Sequence, residues 1–398
     1  MKIALVAQHT TPLAHDGTPR EAERARLQEL TRSLAAGGHE VTLYAQKTDQ
    51  ALPDKADLCD GVRVEHIGAG DQKADERDLL ARVPTFSGSL RDRLTSQRPD
   101  VLHAVRWTSG LAALAASRGL DIPVIQSFQS LGVAERRFRL LPATAGTERM
   151  RLEPAIGRSV TAVLAGSTDE ESDLARLGVP RRHIKVVPDG VDVAEFDPDG
   201  AVAARSGRPR LVTIADMEKG AGLELLLRAL TKVPGAELVI AAGPTRDELR
   251  ARRERERLAA LAEALGVGDR VTFSGQVARA DLPPLLRSAD LYVTTGEYEP
   301  SATLPLQAMA CGTPVVAAGL GGQVDAVIDG TTGILVPPGH PALMGQRIRQ
   351  LLAHPMMLEA YSVAAADRAR SRFSWDRIAQ ETLAVYDKAL GATAVKAA

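Results

Sequence analysis

Short runs of β-branched and aliphatic residues alternate with longer amphipathic stretches along the whole chain, and the series restarts midway. In the first half the strand-like runs are Lys2–Ala7, Glu40–Ala45, Val62–Ile67, Val101–Ala104, Val124–Phe128, Ala162–Ala165 and Ile184–Val187. Helical patterns such as Arg20–Ala36 and Leu174–Leu177 lie between them, with Gly37-Gly38 and Gly178 where a helix would stop. Ser167-Thr168-Asp169-Glu170 has the spacing of a capping box and predicts a helix start. Runs that are apolar on both faces and separated by helices predict a parallel sheet covered on both sides.

Asp197–Pro209 is rich in Asp, Gly, Pro and Arg and has no apolar periodicity, so it reads as an open linker. Strand-like runs then resume at Arg210–Ile214, Glu237–Ala241, Val271–Ser274, Leu291–Thr294 and Val315–Ala318. The chain is therefore expected to be an α/β protein with two doubly wound, Rossmann-like parallel-sheet domains. In open sheets of this kind ligands bind beyond the carboxyl ends of the strands, so two facing lobes would put a site in the cleft between them. The charge-dense run Arg246–Arg257, with Glu248 and Arg252 one helical turn apart, reads as a solvated helix face.

At 398 residues the chain exceeds one ordinary core of about 150 residues, which agrees with two domains. Its 49 basic and 50 acidic residues nearly cancel, which argues against a nucleic-acid partner. Aromatics are only 3%, so the core has to be built from Ala, Val, Leu and Ile. Cys59 and Cys311 show no metal-like spacing and suggest a reducing compartment without disulfides. The apolar start Ile3–Ala7 is too short for a secretory signal. The uncharged run Pro300–Val324 carries three prolines and four glycines, which argues against a membrane span. A cytoplasmic protein with no transmembrane segment is the expectation. Oligomeric state leaves no trace in the sequence.

The stretch Glu299-Pro300-Ser301-Ala302-Thr303-Leu304-Pro305-Leu306-Gln307-Ala308-Met309-Ala310-Cys311-Gly312-Thr313-Pro314-Val315-Val316 follows one predicted strand and leads into the next. Its first residues form a loop entering a helix, whose free N–H groups would favour an anion. Glu218-Lys219-Gly220, Val187-Pro188-Asp189-Gly190-Val191-Asp192, Gly38-His39-Glu40-Val41 and Thr331-Thr332-Gly333-Ile334-Leu335-Val336-Pro337-Pro338 accompany it in order. Together these segments resemble the retaining GT-B glycosyltransferases of family 4, the group that includes sucrose-phosphate synthases and the mycothiol-pathway glycosyltransferase. Phe373-Ser374-Trp375-Asp376-Arg377-Ile378 is similar to the family's closing helices, which cross back to the first lobe.

The resemblance implies a GT-B fold. Residues 1–196 would be the acceptor-binding domain, completed by a helix at about 373–392, and residues 209–372 would hold the nucleotide sugar. It implies that Lys219 grips the donor diphosphate, that Glu299 touches sugar hydroxyls, and that backbone amides of Ser301, Ala302 and Thr303 face the phosphates. Gln307 stands where the family's second Glu binds ribose, and Gly321 and Gly322 would allow close approach to the donor. Gln129 replaces a His beside the reacting carbon, and Lys219, Glu299 and Gln129 are the expected catalytic set. No metal and no cofactor beyond the nucleotide-sugar substrate are implied.

Other departures concern charge. Asp216 stands where the family has a small or basic residue before Lys-Gly. A carboxylate ~4 Å from a phosphate would oppose it by about 4 kcal/mol at an effective dielectric of ~20. Arg208 and Arg210 are the nearby cations that would compensate. Gln307 keeps an acceptor and loses only charge assistance, about 1 kcal/mol. Asp16-Gly17-Thr18 takes the place of an N-terminal Gly-Gly loop, and Val105 the place of a second His. His9, His15 and His103 fall at or just beyond strand ends and are acceptor-site candidates. Arg136 and Arg137, in a basic segment with Arg149 and Arg151, suit a phosphorylated or acidic acceptor.

The expected reaction is retaining transfer of a sugar from a UDP or GDP donor to a small-molecule acceptor, as in specialised metabolism. A sulfur nucleophile would need the least help from Gln129. Two alternatives stay open. One is a GT-B module that has lost turnover and binds a ligand or partner; the other is a nucleotide-sugar epimerase or phosphorylase on the same fold.

Overall fold

The computed structural model describes residues 1–14, 21–71, 74–138, 146–215, 217, 222–242, 248–296 and 300–397. The chain forms two compact units, Met1–Pro188 with Trp375–Ala398, and Asp189–Ser374.

Unit 1 is built on an eight-stranded sheet. Its strands are β1 (Lys2–Ala7), β2 (Glu40–Lys47), β3 (Lys55–Cys59), β4 (Val62–Ala69), β5 (Val101–Val105), β6 (Val124–Ser127), β7 (Ala162–Ala165) and β8 (Ile184–Val186). The order is β3-β4-β2-β1-β5-β6-β7-β8, and every pair is parallel except β3 with β4. Ile3 through Ala7 of the central β1 are all buried, as expected for a strand covered on both faces. The sequence gives no sign of β3, because its Lys55, Asp57 and intervening residues are exposed or half-buried on the sheet edge. Main-chain pairing to β4 holds it, with Leu58 and Cys59 only partly buried against the core.

The helices of unit 1 are α1 (Glu21–Ala36), α2 (Glu76–Gln97), α3 (Trp107–Ala116), α4 (Gly132–Arg137), α5 (Thr147–Ser159) and α6 (Thr168–Arg176). Ser167 caps α6 by accepting from the Glu170 N–H at 3.2 Å, where the capping-box spacing had put a helix start. Asp75 caps α2 together with Asp78, which fixes Glu76 as the first helical residue.

Unit 2 carries β9 (Arg210–Ala215), β10 (Glu237–Ala242), β11 (Val271–Gln276), β12 (Leu291–Thr294), β13 (Val315–Ala318) and β14 (Gly333–Val336). The order β11-β10-β9-β12-β13-β14 is parallel throughout and reverses between β9 and β12. Its helices are α7 (Leu223–Leu230), α8 (Glu248–Ala264), α9 (Leu282–Arg287), α10 (Thr303–Ala310), α11 (Gln323–Ala326), α12 (Pro341–Leu352) and α13 (Pro355–Phe373). The last helix, α14 (Trp375–Ala397), belongs to unit 1, where Ile378, Ala379, Val385, Tyr386 and Ala389 join the core formed with β1, β2 and β5.

The stretch Asp197–Pro209 is not an open linker. Arg287 donates to the carbonyls of Asp197 (2.7 Å) and Ala201 (2.9 Å), and Arg205 pairs with Asp290 at 2.6 Å. Polar, aperiodic composition signals the lack of a helix or strand; it says nothing about main-chain carbonyls that arginines from elsewhere can satisfy. Among the described residues no helix is long and apolar enough to cross a membrane.

Candidate active site

In unit 2 the strand order reverses between β9 and β12, and this is where an open sheet leaves a crevice beyond its carboxyl ends. Asp216, Lys219 and Glu299 lie outside the described residues, and so does His15 of unit 1. What surrounds the crevice is nonetheless specific. Gly222 starts α7 with φ +72°, and its carbonyl accepts from the Thr295 hydroxyl, just beyond β12, at 2.6 Å. A Cβ on Gly222 would sit 2.2 Å from the Thr295 carbonyl oxygen, so only glycine lets the two loops touch here.

α10 opens on a ladder of hydroxyls. Ser301 Oγ donates to Asp189 Oδ2 at 2.6 Å and lies 2.7 Å from Thr303 Oγ1, while it accepts from the Thr303 N–H at 3.2 Å. Gly322 packs on this turn so closely that a Cβ would lie 2.8 Å from the Ala302 nitrogen. The neighbouring Gly321 adopts φ +53°. The fold thus brings Ser301, Ala302, Thr303 and Gly322 together. Gln307 lies one turn along α10 from Thr303, on the less buried face, with its Oε1 buried and unpartnered. Gln323 was not singled out by sequence; it is 1% exposed and neither carboxamide atom has a partner.

Arg208 and Arg210, the cations expected to offset Asp216, are engaged elsewhere. Arg210 occupies the amino end of β9, paired with Glu237 at 2.6 Å and bonded to Ser288 at 3.0 Å. Five residues of strand, about 16 Å, separate it from Ala215 at the other end. Arg208 points to Asp269 at 3.6 Å.

In unit 1, charged groups converge beyond the carboxyl ends of β1, β5 and β6. His9 Nε2 is 3.1 Å from Glu23 Oε2, and its side chain is 1% exposed. Glu23 also pairs with Arg106, whose second Nη lies 3.8 Å from Glu76. Glu76 in turn meets Arg149 at 2.9 Å. Arg106 sits directly after β5 at φ 69°, ψ 159°, a region that costs a non-glycine residue about 1–3 kcal/mol. Gln129, two residues after β6, has φ 67°, and its Oε1 is buried without a partner. Strain at the ends of two adjacent strands marks a place where the fold over-determines geometry, as functional sites do.

Arg149 is the hub. Its Nε donates to Glu153 (2.6 Å), its Nη1 to Glu76 (2.9 Å) and Glu135 (3.1 Å), and its Nη2 to the carbonyl and hydroxyl of Ser130 (2.9 and 3.0 Å). Burial works against its charge, but Glu153, Glu135 and Glu76 outweigh that and hold its pKa above the usual range. Burial pushes the Glu153 carboxyl up to about 7, against the pull of Arg149 and the Gly132 N–H.

The other acceptor-site candidates lie elsewhere. His103 on β5 has both ring nitrogens engaged, Nδ1 with the Tyr386 hydroxyl at 2.7 Å and Nε2 with Ser127 Oγ at 2.8 Å. Burial lowers its pKa to about 4, so it is a neutral tie between the sheet and α14. Arg137 pairs with Asp173 of α6 at 2.6 Å, and the exposed Arg136 lies 3.7 Å from the Met150 sulfur. Sequence reading assigned no role to Glu23, Glu76, Arg106, Glu135, Glu153 and Gly222, and took Asp189 only as part of the Val187–Asp192 segment. Only the Arg149–Glu153 pair left a readable signal, the i, i+4 spacing on a helix.

Comparison with known proteins agrees with this architecture. Residues 199–368 match the family model for glycosyl transferases group 1, and residues 23–190 match the glycosyl transferase 4-like domain. The chain is 31% identical to D-inositol 3-phosphate glycosyltransferase 2 of Catenulispora acidiphila, over 98% of this chain and 95% of that protein. It is likewise 31% identical to D-inositol 3-phosphate glycosyltransferase of Xylanimonas cellulosilytica, over 98% and 97%. Sucrose-phosphate synthase from Thermosynechococcus elongatus superposes with a TM-score of 0.85 at 26% identity, covering 98% of this chain and 99% of that one. With its two parallel-sheet units and its full-length likeness to these enzymes, the chain belongs to the GT-B glycosyltransferases of family 4, the glycosyl transferases group 1.

Proposed function

We propose that this glycosyltransferase moves a sugar from a nucleotide donor, UDP- or GDP-linked, to a small polar acceptor with retention of configuration. The observation that carries the donor assignment is the amino end of α10. There the Ser301–Thr303 turn, packed under Gly322, gives a helix dipole and the first-turn N–H groups other than that of Thr303, which goes to Ser301 Oγ, for a diphosphate. Gln307 keeps a buried, unpartnered oxygen one turn further on, where a ribose hydroxyl would supply the missing proton. Lys219 would stabilise the departing diphosphate and Glu299 would orient the donor sugar. No resident cofactor takes part in this reading.

The acceptor belongs to unit 1, where Gln129 presents its orphaned oxygen from a strained backbone. An acceptor hydroxyl bonded there would be positioned for attack, and its proton would pass to the leaving diphosphate. Relatives named for D-inositol 3-phosphate support an acceptor of that size, a single polar ring.

Thermal melting against a panel of nucleotides tests the donor half, since a ligand at 100 times its Kd adds about 2.7 kcal/mol of stability. A UDP or GDP sugar is expected to raise the melting temperature, and Lys219→Ala to abolish its use. If no nucleoside diphosphate shifts the melting point, the transferase reading fails. Nucleotide binding with no turnover in the presence of any acceptor would favour a ligand-binding module instead. The anomeric configuration of the product, read by proton NMR coupling, decides retention.

A further inference from the structure

The relatives named above take a phosphorylated cyclitol, which makes the charge at the strand ends of unit 1 informative. Arg149 is buried there, with a side chain 3% exposed. A guanidinium has five N–H donors. All of them are spent inside the protein, on Glu153, Glu76, Glu135 and both oxygens of Ser130. Arg106 is taken up by Glu23 and approaches Glu76. Among the described residues of this cluster, four carboxylates (Glu23, Glu76, Glu135, Glu153) face two guanidiniums. Protonation of His9, with the Glu153 carboxyl neutral at its raised pKa of about 7, would bring these groups only to balance, without a surplus of positive charge for an anion.

A second observation points the same way. Gln8 follows β1 and is 0% exposed, and its amide nitrogen donates to the Leu79 carbonyl in the first turn of α2, one turn from Glu76. Its carboxamide oxygen is buried with no partner, and the same is true of Gln129. Both unmet groups are acceptors. A phosphate brings only further acceptors and negative charge, so it would satisfy neither oxygen and would be repelled by the carboxylates. An ammonium or a hydroxyl brings the protons that these oxygens lack.

We infer that the acceptor of this enzyme carries no phosphate and is a small polar molecule rich in N–H or O–H donors, with an amine-bearing polyol the best match. This rests on the transferase reading and on the acceptor belonging to unit 1. It sets the chain apart from the relatives named for inositol phosphate, whose acceptor enters as an anion. Arg149 is a positioning residue: it holds Ser130, and through Ser130 the strained turn that carries Gln129.

The test supplies full-length enzyme and the nucleotide sugar that raises its melting temperature with three acceptor pools: polyols, aminated polyols and polyol phosphates. myo-Inositol, an amino-deoxy-inositol and inositol 3-phosphate are the matched members, and released nucleoside diphosphate is the readout. Release is expected to rise several-fold with the aminated or plain pool and to stay at background with the phosphates. Glu135→Gln, which frees one Arg149 donor, is expected to raise phosphate-ester use while lowering use of the amine. The inference is overturned if the phosphate pool matches or exceeds the others, or if all three stay silent while the donor still binds. Calorimetric titration of the same three cyclitols answers the question without a donor: tighter binding of the phosphate ester, or binding of none, overturns it. Loss of donor binding alone would instead count against the transferase reading.

Discussion

Ser301 donates its single hydroxyl proton to Asp189, 2.6 Å away and 112 residues earlier in the chain. Having given that proton up, Ser301 Oγ can only accept from Thr303, so the Thr303 hydroxyl proton turns inward and its lone pairs face out. The ladder therefore polarises the first turn of α10, with Thr303 Oγ1 offered as an acceptor to a sugar or ribose hydroxyl. A hydrogen bond to a charged group contributes about 1.5–3 kcal/mol. Asp189→Ala is expected to lower stability by an amount of that order and to raise the donor KM, with a smaller change in kcat. Unchanged melting and KM would show that the ladder is ornamental.

Gln307 is a point where charge can be tested without changing shape. Gln307→Glu is expected to tighten nucleotide binding by about 1 kcal/mol, roughly fivefold in Kd, through a charge-assisted bond to ribose. Its cost falls on the free enzyme, because a carboxylate replaces a buried, unpartnered amide oxygen. Melting with and without nucleoside diphosphate separates the two effects. Weaker nucleotide binding by the Glu variant would mean that this side chain does not face the ribose.

Arg149 and Glu153 form a buried pair in which each needs the other. Arg149→Met leaves Glu153, 0% exposed, without its cation and is expected to destabilise by about 3–5 kcal/mol. The double replacement Arg149→Met, Glu153→Met should recover much of that loss while kcat/KM stays low, because Ser130 and Gln129 remain unclamped. Denaturant unfolding of both singles and the double measures the coupling. Additive losses would refute it.

His103 supplies a pH dependence with a definite sign. Its folded-state pKa of about 4 lies below the ordinary 6.5, because burial disfavours the imidazolium. The unfolded chain then binds the proton more readily. Stability from this residue is fully present above pH 6.5 and falls between pH 6.5 and about 4, by up to about 3 kcal/mol. His103→Gln should flatten that part of the profile, as read by urea unfolding at a series of pH values. A profile unchanged by the substitution would mean that the histidine titrates normally.

The alternation of apolar runs with helical stretches was enough to place twelve of the strands and the α/β class, because a strand buried on both faces has to be apolar throughout. The segment from Glu299 to Val316 likewise marked the helix that opens on Ser301, since loop, helix and following strand are all local in sequence. β3 left no sign, because an edge strand is held by its neighbour's main chain. Asp197–Pro209 looked open for the opposite reason: its contacts come from Arg287 and Asp290, far along the chain.

Sequence by itself determined what is periodic or local: the element types, the two-unit division, and the hydroxyl residues that open α10. Tertiary structure alone decided which charges neutralise one another. Arg149 reads as a free cation until Glu76, Glu135 and Glu153 arrive from three different helices, and His103 reads as a ligand until Tyr386 closes on it. A charge acquires its function from its partners. Apart from Glu153, one helical turn from Arg149, those partners are neighbours in space and distant in sequence, so no spacing rule discloses them.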